Sequence, residues 1–364
     1  MKLKVKAKLD PGFMPMSLVC REMRQATAEE GQELVIAIER NKGYTTTYRT
    51  RVYPDGTGHD QENFRFVERI AKSMLWVAGG YKIVIAGSQV IGAKIKEAYT
   101  YGGLRDFDVR FMERVYERPF AVETCALADA PAEKSAAAPV GRHLDGCRIG
   151  FDAGGSDRKV SAVIDGESVY SEEVVWHPKL NADPDYHYQG ILEAMKTAAA
   201  HMPRVDAIGV SSAGVYIDNR IMVASLFLKV EDEEVFNNKV KNMYLDVARE
   251  IGENIPIEVA NDGDVTALAG AMNLNDHSVL GVAMGTSEAA GYVDPQGNIT
   301  GWLNELAFAP VDYNVDAMVD EWSGDYGCGV KYFSQDSVIK LAPAAGIELD
   351  ESLSPAEKLK VVQG

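Results

Sequence analysis

The chain has 364 residues, 46% of them hydrophobic and 25% charged, with 33 Gly and 14 Pro. This ordinary globular composition excludes collagen-like, coiled-coil and broadly disordered chains, and the length predicts two or three domains. Lys and Arg (37) against Asp and Glu (54) give a net charge of −17, a field that repels phosphate backbones and anionic lipid. No nucleic-acid or membrane partner is therefore expected.

In chain order, Lys2, Lys4, Lys6 and Lys8 alternate with Leu3, Val5 and Ala7, which predicts an edge strand with a solvated lysine face. Residues 34–43 and 44–53 read as two strands joined by a turn at Asn41, Lys42 and Gly43. A helix is predicted over 64–76, with Phe64, Val67, Ile70, Ala71 and Met74 on one face, ended by Gly79 and Gly80. A short buried strand over 82–86, a turn at Gly87 and a helix over 93–99 follow. Phe107, Phe111, Met112 and Val115 have helical spacing and predict core. Residues 126–146 are rich in Ala and Pro, which is linker composition. The expected organisation is an α/β segment over 1–123, a linker over 124–146 and a second part over 147–364.

That second part alternates regularly. Strands are predicted over 148–152, 159–164, 205–211, 257–260 and 278–284, and helices over 191–202, 235–251 and 265–272. Strands alternating with helices predict an α/β protein. The start of the chain lacks a signal-peptide core, and its apolar runs are too short to span a membrane. Four cysteines without a CxxC pair need no disulfide. A cytoplasmic protein is expected.

Several strands end in Gly, Ser, Thr or Asp, where open α/β sheets place their sites. In the Asp152-Ala153-Gly154-Gly155-Ser156 hairpin, glycines let backbone N–H groups approach a phosphate, and Ser156 adds a donor. Asp152 suits a hydrated Mg2+, which keeps most of its waters and takes one carboxylate. A Gly-rich hairpin without a ligand has the same sequence. Gly285, Thr286 and Ser287 form a second strand-end turn of the same kind. Asn261-Asp262-Gly263-Asp264 precedes an Ala-rich helix; Asp264 suits a helix cap, while Asp262 suits the acceptor of a substrate hydroxyl proton. The six histidines are isolated, so a His-based metal centre is not expected.

The order DAGGS (152–156), SSAG (211–214), NDGD (261–264), GTS (285–287) and NELAF (304–308) resembles the actin-like ATPase superfamily of sugar kinases, and within it the ROK family. The resemblance covers about 147–346. It implies an α/β fold of two actin-like, ribonuclease H-like lobes with mixed sheets, helices on their faces and a cleft between them. It implies phosphoryl transfer from ATP, with Mg2+, to a sugar hydroxyl. Asp262 would be the general base. Asn261, Glu305, Ser212 and Gly214 would bind the sugar, and Asp152 would hold Mg2+ through water. Gly154, Gly155, Ser156, Gly285, Thr286 and Ser287 would hold the phosphates. Sugar and ATP would be the partners, and a homodimer is compatible with the resemblance.

Three departures temper it. The family's second sugar-binding Glu falls on Val330. Its zinc-ligating His falls on Phe308, and Cys328 stands alone, so no structural zinc is expected. The family's adenosine segment would follow residue 364, yet 78–92 has its pattern of strand, Gly turn and helix. Gly87 then joins the nucleotide residues through a circular permutation or a duplicated half-domain; an unrelated α/β turn is the other reading. A sugar- or nucleotide-sensing protein that lacks turnover is the alternative to the kinase.

Overall fold

The computed structural model describes residues 4–135, 137 and 140–364. The chain folds as two compact units, one of residues 1–137, 282–290 and 301–364, the other of 138–281 and 291–300. Both are α/β, with mixed sheets flanked by helices, as expected.

The first unit begins irregularly. Lys2 and Leu3 lie outside the described residues, and residues 4–9 form bends rather than the expected strand, with Val5 82% exposed. Val5 and Ala7 offer too little apolar surface to hold the segment in a sheet, so alternation alone placed it in none. Helix α1 (Met16–Ala26) leads into strands β1 (Gln32–Arg40) and β2 (Tyr44–Val52). These pair antiparallel around the predicted turn, where Lys42 and Gly43 take positive φ. Next come α2 (Asp60–Ala78), β3 (Lys82–Ala86), α3 (Gln89–Ala98), α4 (Asp106–Tyr116) and β4 (Ala121–Cys125).

The sheet runs β2-β1-β3-β4, with only β3 and β4 parallel. Strand β1 is central, so Leu34, Val35, Ile36, Ala37 and Ile38 are all buried, the continuous apolar run of a strand covered on both faces. Gly79 ends α2 at φ 77°, which a side chain resists. Lys134 of the Ala/Pro-rich stretch exchanges backbone hydrogen bonds of 2.8 and 2.9 Å with Thr45 of β2.

The second unit holds β5 (Cys147–Ala153), β6 (Asp157–Ile164) and β7 (Glu167–Val175), an antiparallel meander. After α5 (Pro184–Ala199), strand β8 (Ala207–Ser212) adds parallel to β5. A hairpin of β9 (Val215–Ile217) and β10 (Arg220–Val223) follows, then α6 (Glu233–Val235), α7 (Met243–Ile251) and β11 (Ile257–Asn261), the last parallel to β8. The resulting order β11-β8-β5-β6-β7 has the meander on one side and the parallel strands on the other. That is the ribonuclease H-like arrangement.

Inward-facing Ile149, Phe151, Val160, Ala162, Ile208, Val210 and Val259 pack under α5 and α7 in one core. Alternate positions face the other way, where Gly150, Ser161 and Gly209 line an open groove of about 840 Å³. Helix α8 (Asp262–Leu274) follows β11 directly.

The helix predicted over 235–251 is interrupted by a wide turn at Phe236–Val240. The break frees the Lys241 carbonyl, which accepts the Ile221 N–H of the hairpin at 2.9 Å. Asn219, at φ 63° on the hairpin tip, accepts from the Val259 N–H at 2.8 Å and donates to the Ile257 carbonyl at 2.9 Å. The chain passes between the units within β12 (Val279–Met284) and β13 (Glu288–Val293), and ends with α9 (Gln335–Leu341) and α10 (Pro355–Gln363).

Candidate functional site

Parallel pairing brings the strand-end motifs of the second unit together. Ala153, Ser212 and Asn261 lie side by side across β5, β8 and β11, one step beyond Asp152, Ser211 and Ala260. Asp152 faces away from the core, and its neighbour across β6 is Lys159, with Nζ 3.9 Å from the carboxylate. Lys159 is held more closely by Asp157, at 2.6 Å.

Asn261, not Asp264, caps α8. Its Oδ1 accepts the Gly263 N–H at 2.7 Å, and its Nδ2 donates to the Gly214 carbonyl at 2.8 Å. An Asx side chain adjoining the first helical turn outcompetes an acid three residues inside it. Gly214 accepts that bond at φ 142°, and a β-carbon there would lie 2.5 Å from the Val223 carbonyl.

Asp262 then opens the helix, half-buried, accepting from the Gly263 N–H at 3.0 Å. Burial raises its pKa above the usual carboxylate value and the charge of Asp152 raises it further; the Gly263 N–H and, less strongly, Lys179 oppose them. A carboxyl raised in this way holds its proton to higher pH than a solvated one. Ser212 is fully buried, and its hydroxyl accepts from the Tyr244 hydroxyl at 3.2 Å. It therefore builds the wall of the site.

Between β5 and β6, the hairpin at 154–156 is fastened to the end of β7. The Trp176 indole N–H donates to the Gly154 carbonyl at 2.8 Å, and its backbone N–H donates to that of Ser156 at 3.0 Å. Gly154 allows a close turn, since a β-carbon would lie 2.6 Å from the Asp157 carbonyl. The donor set suits one hydrated Mg2+ at Asp152. Asp157 is taken by Lys159, and one carboxylate with waters and phosphate oxygens satisfies that ion. Among the described residues no group of three His, Cys, Asp or Glu forms a ready-made metal cage.

The remaining sequence-derived residues belong to the first unit. The turn at 285–287 is closed by the Gly285 N–H donating to the Ser287 carbonyl at 3.0 Å, leaving Thr286 and Ser287 exposed. Glu305 sits where 304–308 runs along the end of α2, its N–H donating to the Trp76 carbonyl at 3.0 Å. Phe308 packs on Trp76, with ring centres 4.4 Å apart, beside Phe107 and Phe111. Tyr313 is buried beneath Arg65, 4.0 Å from its ring centre.

Gly87 does not supply the free amide expected of it. Its N–H donates to the Cys125 carbonyl at 3.2 Å, its φ is 106°, and a β-carbon would lie 2.5 Å from the Glu33 carbonyl. Ser88 is also engaged, capping α3 and donating to Asp55 at 2.8 Å.

Sequence reasoning missed Lys179, Trp176 and Tyr244, which carry no motif and reach the site only through the fold. It also missed Glu288, just after the second turn. This residue is 6% exposed, one oxygen has no partner among the described residues, and burial pushes its pKa up to about 7.

No protein-family profile matches the sequence, and no curated protein matches it. Among solved structures, the chain is similar to a ROK family transcriptional regulator, a homolog of the E. coli MLC protein, with 19% identity and a TM-score of 0.44 over 56% of this chain and 50% of that one. It is similar to a ROK glucokinase from Streptomyces griseus in complex with glucose and AMPPNP, with 20% identity and a TM-score of 0.38 over 54% and 59%. A third is the ROK hexokinase from Thermus thermophilus, with 16% identity and a TM-score of 0.43 over 58% and 72%. The chain thus spans only about half to three-fifths of the length of the first two. The chain is similar to ROK-family structures, regulators and sugar kinases alike.

Proposed function

We propose that the protein transfers a phosphoryl group from ATP to a sugar hydroxyl. The observation that carries this reading is the carboxyl edge of the five-stranded sheet, where Asp262, with its raised pKa, stands within electrostatic reach of Asp152, and Asp152 and Ala153 lead directly into the Gly154–Gly155 hairpin. In this reading Asp262 orients the attacking hydroxyl and accepts its proton. Amides of the hairpin and the Ser156 hydroxyl hold phosphate oxygens. Asp152 holds Mg2+ through water; the ion, when bound, neutralises charge on the phosphates. Asn261 and Gly214 fix the helix start that aims Asp262, and Ser212 with Tyr244 backs it.

Gly285, Thr286, Ser287 and Glu305 keep their proposed phosphate and sugar roles, each to be tested by its own substitution. Gly87 is reassigned to the turn it closes. The chain places Val330 and Phe308 where the resembled kinases carry polar groups, which favours the second reading, a sensor that binds sugar without turnover.

One experiment separates the two. The purified full chain is screened against hexoses and N-acetylhexosamines by thermal shift, with and without Mg-ATP, and ADP release is followed in parallel. Sugar-dependent ADP release supports the kinase. A sugar shift without ADP release supports the sensor, and no shift with any sugar removes both.

A further inference from the structure

Two lysines flank the Gly-rich hairpin of the second unit, and they differ in what they already hold. Lys159 is paired with Asp157 at 2.6 Å. Lys179 is exposed and makes no ion pair among the described residues, although the chain carries a net charge of −17. Its position is nonetheless well defined. It lies in a turn, Pro178–Leu180, whose buried Pro178 offers its carbonyl to the ring of fully buried His187 at 3.0 Å. Three residues earlier, Trp176 fastens the hairpin through both of its N–H groups.

The lysine stem is laid over the hairpin backbone. A β-carbon at Gly155 would lie 2.7 Å from Lys179 Cε and 2.9 Å from its Nζ. The end of the lysine side chain thus rests directly on the Gly155 backbone. The ammonium stands beside amides suited to anions and within electrostatic reach of Asp262.

Resting on the kinase reading above, we propose that Lys179 is a phosphate-binding residue of this hairpin, whose ammonium takes oxygens of the β- and γ-phosphates of a nucleoside triphosphate. An unpaired cation over a Gly turn matches the charge of a polyphosphate but not of a neutral sugar. A chain this acidic repels a free nucleotide at long range, so a local positive charge at the phosphate end has a defined task. The assignment predicts selectivity between nucleotides by phosphate number rather than by base.

The test needs no turnover. Affinities of the full chain for AMPPNP and AMP are measured by calorimetry for wild type, Lys179→Met and Lys179→Arg. The expected result is tighter AMPPNP than AMP binding in wild type. Lys179→Met should then lose roughly tenfold or more for AMPPNP, with AMP unchanged and Arg restoring most of the loss. Unchanged AMPPNP affinity in Lys179→Met, an equal loss for both nucleotides, or no preference for AMPPNP in wild type overturns the assignment. Normal AMPPNP selectivity without sugar phosphorylation would retire the kinase reading and leave Lys179 in place.

Discussion

Both units gather charged side chains, but they treat them differently. In the first unit Glu68, Arg69 and Lys72 of α2, Arg105 and Asp108 of α4, and Asp325 are buried together. Asp325 accepts from Arg69 at 2.7 Å, Lys72 at 2.6 Å and Arg105 at 2.9 Å. Cys328 lies against this cluster, 3.9 Å from Lys72 Nζ, and burial pushes its thiol up to about 11. In the second unit Asp152, Asp262 and Lys179 stand at a sheet edge, without ion pairs as close as these. Three acids facing three bases in a dry interior make a structural element, costly to break. Charges left unmatched at strand ends await an outside partner. The contrast separates ionisable groups that hold the fold from those that use it.

The largest effect that would break this comparison is at Asp262. Asp262→Asn keeps the shape and removes the proton acceptor, so transfer to sugar should fall roughly 10²–10⁴-fold with sugar affinity largely retained. Steady-state rates with calorimetry decide it, and near-normal turnover would remove Asp262 from the base role.

At the buried cluster the effect should appear in stability instead. Asp325→Ala leaves three cations short of a partner and should cost about 3–5 kcal/mol in denaturant unfolding. Asp152→Ala, at the open edge, should stay within about 0.5 kcal/mol. Similar losses in the two variants would erase the distinction between the regions.

Individual strands and strand-end motifs were legible in the sequence, the division of charges was not, and the exceptions have physical causes. The strands 34–43, 44–53 and 82–86 were readable because β-branched and apolar residues are bounded by Gly turns. The strand-end motifs were readable because Gly and Asx clusters have local backbone reasons to exist. The Lys2–Lys8 alternation misled because so small an apolar face does not by itself specify burial. The break after Phe236 was invisible because a hairpin far along the fold competes for the Lys241 carbonyl. Gly87 looked like a ligand turn, yet its missing side chain answers to the Glu33 carbonyl. The buried ion cluster and Lys179 depend on groups from separate elements, which no local pattern encodes. Gly87 also teaches a practical point: Gly87→Val would distort the turn at a positive φ and so cannot report on nucleotide binding alone.

Glu288 lies between the two classes, being buried like the first and unpaired like the second. Its folded pKa of about 7 stands above the ordinary value of 4.5. The unfolded chain therefore gives up this proton first. As pH rises from about 4.5 to 7, ionisation favours unfolding, and above that window the penalty is complete. Glu288→Gln removes the titration. Relative to this variant, the wild type should lose on the order of 2 kcal/mol between pH 4.5 and 8. Urea midpoints across that range measure it, and a constant difference between the two proteins would show that Glu288 titrates normally in the fold.

The smallest effect sharpens the comparison most, because it asks whether the groups at the sheet edge sense one another. The charged groups acting on Asp262 are Asp152 from β5 and Lys179 from the turn after β7, beside the backbone N–H groups of Gly263 and Asp262 itself; Tyr216 of β9, buried and neutral, feels its charge in return. Burial and Asp152 raise the Asp262 pKa, while the Gly263 and Asp262 backbone N–H groups and, less strongly, Lys179 lower it. A base must be deprotonated to act, so kcat/KM should fall as pH drops through the Asp262 pKa. Removing the ammonium in Lys179→Met withdraws the one cation favouring the ionised form, and the acid limb should move to higher pH. Lys179→Arg keeps the charge and should leave the limb near its wild-type position. A loss of phosphate binding alone would scale the profile without moving it along the pH axis. Profiles recorded at low salt would show the coupling most clearly, since screening weakens interactions between partly exposed charges. An acid limb that stays fixed in Lys179→Met, or moves to lower pH, would mean that Asp262 and Lys179 act independently or that another group titrates.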